Sequence, residues 1–112
     1  MTIDVKQLIG DLQSAATGAV SQDVSTLGGF SQDQLEAIAK QAATVADGIR
    51  DGSITPDLQG YFLGSLQELT RSFVNVLDGL TAVAAERAWN AMVGVLWGAI
   101  SKVTGVALGG VV

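Results

Sequence analysis

Leu77-Asp78-Gly79-Leu80 sits in the middle of an apolar stripe that occupies most of the second half of the chain. Upstream of it come Leu58, Phe62, Leu66, Leu69 and Phe73, and together with Leu77 and Leu80 the spacings are 4, 4, 3, 4, 4 and 3, which is one face of a helix. Glu68, Arg71, Asn75 and Asp78 fall on the other side. The phase passes through Gly79 without a jump and continues towards Gly105. An Asp-Gly pair is also turn chemistry. Two architectures therefore compete. In the first, favoured by the unbroken phase, residues 56–104 form one helix of about 74 Å at 1.5 Å per residue. In the second, the helix stops at Asp78-Gly79 and a further helix folds back, giving a compact four-helix bundle.

Working back from the stripe, Thr55-Pro56 supplies its start. Proline fits the first helical position and pushes the preceding residue out of the α region, so Thr55 is the expected N-cap. Residues 51–54 are a short link to a helix expected over 32–50. Its start is Phe30-Ser31-Gln32-Asp33-Gln34-Leu35, with Ser31 as N-cap, Gln34 three residues on, and Phe30 and Leu35 as an apolar staple. Asp51-Gly52 is its glycine stop. Leu35, Ile38, Ala42, Val45 and Ile49 recur at spacings of 3 and 4. So short a link forces an antiparallel hairpin. Its expected seam joins those five residues to Leu58, Phe62, Leu66, Leu69 and Phe73. A shorter helix over 5–20 precedes the hairpin, with Asp4 as N-cap and Val5, Leu8, Leu12, Ala15 and Ala19 on one face. Gly10 and Gly18 weaken it by up to about 1 kcal/mol each relative to alanine. The expected class is all-α, a single domain.

Composition narrows the function. The chain of 112 residues contains no Cys and no His. That removes disulfide frameworks, thiolate metal sites, cysteine nucleophiles and histidine-dependent catalysis. Lys and Arg number 6 against 11 Asp and Glu, a net charge of −5, which opposes nucleic-acid binding. Asp47 and Asp51 share a helix face, but beside Arg50 they read as a solvated helix end. No phosphate loop, zinc helix or calcium loop is present. The chain is expected to be no enzyme and to need no cofactor or metal. Its start, Met-Thr-Ile-Asp-Val-Lys-Gln, carries an acid where a secretory segment has positive charge, so no N-terminal signal peptide is expected.

The last third carries the functional expectation. A short N-terminal helix would leave the far half of a 74 Å helix uncovered, and that half is the most apolar part of the chain. Trp89, Met92, Val93, Leu96, Trp97 and Ile100 are the expected contacts to a membrane or an apolar partner. Ala84, Ala88, Ala91, Gly94, Gly98, Ser101 and Gly105 form a line of small residues with a mean spacing of 3.5, suited to close helix packing. Residues 105–112 add an apolar, glycine-rich tail. The expected role is a self-assembling, non-catalytic subunit. It would homo-oligomerise through that small-residue line, as part of a tube, filament, virion or pore-like injection assembly with membrane contact. The bundle architecture implies instead a binding module for a partner helix or a small apolar ligand, held in a groove beside Met92 and Trp97.

Overall fold

Each helix starts at a residue that closes its free end. The Asp4 carboxylate accepts from the Gln7 N–H at 3.1 Å and the Ser31 hydroxyl from the Gln34 N–H at 3.2 Å. The Thr81 hydroxyl accepts from the Ala84 N–H at 3.0 Å. Thr55 caps through its extended backbone and Pro56 alone. The computed structural model, which describes residues 2–106, is accordingly all-α. Its helices are α1 (Val5–Val20), α2 (Gln32–Asp51), α3 (Pro56–Asn75) and α4 (Ala82–Thr104), with a short 3-10 turn at Val24–Thr26. Gly52, with φ 84°, stops α2 as its sequence implies. The expected tail lies outside the described residues beyond Val106.

The unbroken helix over 56–104 is not what the chain forms. Val76–Thr81 is a turn, and Gly79 takes φ 84° in the left-handed region. The largest dimension is 41 Å, too short for a 74 Å rod. Two features break the helix. Thr81 caps a new one, and the loop after α1 holds the turn in place: the Asp78 N–H donates to the Gly28 carbonyl at 2.8 Å. Gly29, also at φ 84°, lies so close that a Cβ would overlap the Val76 carbonyl. The apolar phase survives the break because Leu77 is buried by the turn itself, 6% exposed, and not by a helix face.

The bundle is built around α4. It packs most extensively on α1, then on α2 and α3, while α1 and α3 do not touch. Leu8, Leu12 and Ala16 of α1 are buried and cover α4. The uncovered apolar half expected from the sequence therefore does not exist. Met92, Val93, Leu96, Trp97 and Ile100 are all at most 4% exposed, inside one chain's core, and Trp89 is half-buried against it.

The residues expected in the hairpin seam are buried unevenly on α2 and α3. Leu35, Ile38, Ala42 and Val45 are fully buried, with Ile49 at the edge. On α3, Leu66 and Phe73 are buried, but the inward face is completed by Leu63, Thr70 and Val74. Leu58 and Leu69 stand 45% and 36% exposed, and Phe62 is half-buried. Thr70 explains the difference on α3. Its hydroxyl donates to the Leu66 carbonyl at 2.8 Å, so a residue counted as polar packs as an apolar one.

Candidate functional site

Because α1 and α3 do not touch, α3 is the edge helix of the bundle, held by α2 and α4 on its inner side. It carries more apolar residues than those neighbours can cover. Leu58, Phe62 and Leu69 form a second line with Ser65 and Ser72, which Val76 at the start of the turn continues past the helix end. The spacings of this six-residue stripe are 4, 3, 4, 3 and 4, the coiled-coil period. Val76 is 46% exposed, and beside the line Tyr61 is 73% exposed, its ring edge-on to Phe62 at 5.2 Å.

On the side of α3 facing α4, an open groove of about 790 Å³ runs along Tyr61, Gly64, Ser65, Gln67, Glu68, Arg71, Ser72 and Trp89. Three contacts set its floor. The Trp89 indole N–H donates to the Gln67 carbonyl at 3.0 Å. The Arg71 guanidinium lies 4.3 Å from the centre of the Trp89 ring. The same guanidinium donates to the Glu86 carboxylate at 2.9 Å. Together they tie α3 to α4 along the groove. A cation over an indole ring contributes about 0.5–1 kcal/mol at an exposed site. The groove is thus a preformed, mixed surface: an aromatic wall, one engaged cation and the carboxylate of Glu68.

The groove expected beside Met92 and Trp97 is absent, since both side chains are interior. The Trp97 indole N–H is buried without a protein acceptor. The small-residue line on α4 is divided by the fold. Ala88 is fully buried, Ala84, Ala91 and Ser101 are half-buried, and Gly94, Gly98 and Gly105 lie on the surface. A Cβ added at Gly94, Gly98 or Gly105 would meet open space. A second depression of about 320 Å³ lies between the start of α1 and the end of α4, with Ile3, Leu8, Val95 and Val103 inside and Asp4, Asp11 and Lys102 around it.

Titratable chemistry is sparse. Among the described residues no group of three or more Asp or Glu side chains is placed to hold a metal ion. Hydrogen bonds from the Ser53 hydroxyl and N–H hold the Asp51 carboxyl below the ordinary carboxylate range, and Ser25 does the same to Asp23. Both carboxylates close exposed turns and face no cleft. Asp47 pairs with Arg50 at 3.8 Å, which fits a solvated helix end. Among the described residues no helix is long and apolar enough to cross a membrane.

Leu58, Phe62 and Leu69, expected in the intrachain seam, lie instead on an outward stripe of α3, and the sequence signal that separates them is the competing line Leu63, Leu66, Phe73 and Val74 on the same helix. No protein-family model, curated protein or solved structure matches this chain.

Proposed function

We propose that this chain is a non-catalytic helix-docking module, which works by laying the outer face of α3 against another helix. The observation that carries the reading is the stripe Leu58, Phe62, Ser65, Leu69, Ser72 and Val76. It keeps a coiled-coil spacing from Leu58 on α3 to Val76 at the start of the turn, with Leu58, Leu69, Ser72 and Val76 exposed and Phe62 and Ser65 half-buried. A helix that buries one face and keeps a second periodic apolar line in water bears an unfilled half of a helix–helix contact. The two serines set close approach between the larger side chains. The neighbouring groove, with Tyr61 and Trp89, extends the contact on one flank.

The test uses a labelled synthetic peptide with leucine at both apolar positions of three heptads, titrated with the protein and read by fluorescence anisotropy. Wild type is expected to bind, and Leu69→Lys to weaken binding at least tenfold with helix content and melting temperature unchanged. Leu69 is partly exposed, so the lysine has room in the free protein. Absence of binding by the wild type, or equal binding by the variant, overturns the reading.

A further inference from the structure

We infer that Asp78 is a site of spontaneous covalent modification, where the chain converts to isoaspartate through a cyclic imide closed with Gly79. The inference does not depend on the docking reading. In this reaction the Gly79 amide nitrogen attacks the side-chain carboxyl carbon of Asp78. A C–N bond forms, a carboxyl C–O bond breaks, and the amide proton leaves with the carboxyl hydroxyl as water. A second water molecule then opens the five-membered ring. Opening at the original main-chain carbonyl leaves the chain running through the Asp78 Cβ, and opening at the other carbonyl restores aspartate. Water is the only other reactant, and the net reaction is an isomerisation.

The chain contains the Asp-Gly pair at Asp47-Gly48, Asp51-Gly52 and Asp78-Gly79, and the fold treats the three differently. Glycine follows the acid each time, so no side chain crowds the attacking amide in any of them. Attack needs an amide free to turn towards the carboxyl carbon and to give up its proton. Asp47 and Gly48 lie inside α2, where the helix ladder holds the amides, and Ile54 fills the space beside Gly48. At Asp51 the carboxylate accepts from the Ser53 hydroxyl and N–H at 2.6 and 2.8 Å. Those bonds turn it towards Ser53 and favour its charged form, which has no hydroxyl to lose. Asp78 escapes these restraints. It stands exposed in the turn between α3 and α4, and its carboxylate lies against Gly28, which has no side chain to hold it. Among the described residues the Asp78 carboxylate has no hydrogen-bond or ion-pair partner, and the Gly79 N–H has no acceptor. The Asp78 N–H, by contrast, is anchored on the Gly28 carbonyl at 2.8 Å. Isomerisation therefore adds a backbone carbon between that anchor and the Thr81 cap of α4, and the turn loosens.

The test ages the full chain for several weeks in neutral buffer at physiological temperature, once folded and once in urea, in water enriched in heavy oxygen. Cleavage after Lys40, Arg50, Arg71 and Arg87 places the three pairs in three separate peptides. Chromatography with electron-based fragmentation distinguishes isoaspartate from aspartate, and each ring opening leaves a heavy oxygen in the peptide. In the folded protein, isoaspartate is expected to accumulate at Asp78 at least tenfold faster than at Asp47 or Asp51, because the fold restrains the other two. In urea the three rates should converge. Ser53→Ala should raise the folded-state rate at Asp51. Equal rates in the folded protein, or a faster reaction at Asp47 or Asp51, overturn the assignment. So does an unchanged order of rates in urea, which would make neighbouring sequence the cause and not the fold. The isoaspartate-bearing fraction, once isolated, should unfold at a lower urea concentration than unaged protein, and an equal midpoint overturns the loosening of the turn.

Discussion

At the scale of single residues, two glycines hold left-handed backbone that strains most other residues, and each makes a measurable claim. Gly79 sits at φ 84° with open space around it, so an alanine there meets only backbone strain. Gly79→Ala is expected to cost about 1 kcal/mol, seen as a lower urea midpoint with an unchanged slope. An unbroken helix would have given the opposite sign, because alanine is the better helix former. Gly29 has the same φ and also touches the Val76 carbonyl, so Gly29→Ala should cost clearly more, by urea titration, and should loosen the turn that Gly28 holds through Asp78. Ser53 makes a third claim. With its hydroxyl and N–H donating to the Asp51 carboxylate at 2.6 and 2.8 Å, the charged form is favoured in the folded chain. A carboxyl held low in the folded state adds stability above its unfolded pKa, and that stability is lost as pH falls through the folded value. Carboxyl carbon shifts followed by NMR should therefore place the Asp51 midpoint below the ordinary aspartate value, and Ser53→Ala should raise it towards that value.

Among the elements, α3 has two apolar faces and must choose one to bury. The face centred on Thr70 wins because α2 and α4 contact it together, and the line through Leu58 and Leu69 is left outside. What could be read in advance follows the same division. Helix starts at Asp4, Ser31 and Thr55 and the stop at Gly52 are local chemistry, and all are found where the residues put them. The α2 seam was legible because that helix has one apolar line only. The break after Asn75 was not, because Leu77 and Leu80 keep the helical phase across a turn, and the contact that fixes the turn comes from Gly28, fifty residues away. The choice between two lines on α3 was illegible for a related reason: it depends on where the neighbours stand and on a threonine whose hydroxyl is satisfied within its own helix.

For the whole molecule, the decisive relation is between its two ends, since α1 supplies the cover that makes α4 an interior helix. A sequence with glycines at positions 10 and 18 reads as a weak first helix, yet in the folded chain both glycines face open space, and Leu8, Leu12 and Ala16 do the packing. Helix strength in isolation and helix value in a bundle are different quantities, because most helical stability in a protein comes from burying an apolar face. Leu12 stands at the centre of that cover and is fully buried. A domain of this length has a net stability of about 5–15 kcal/mol. Leu12→Ala should cost about 2–5 kcal/mol by loss of packing. Leu12→Asp adds the cost of placing a carboxylate against Met92, Leu96 and their neighbours in the core, which brings the total close to the stability of the whole fold. The expected outcome for Leu12→Asp is loss of the near-ultraviolet signal of the tryptophans together with strong binding of an apolar dye, at any protein concentration. If α4 were covered by other copies instead, raising the concentration would restore the signal. Its persistence in dilute Leu12→Asp protein would show that α1 is not what keeps Met92, Leu96 and Trp97 dry.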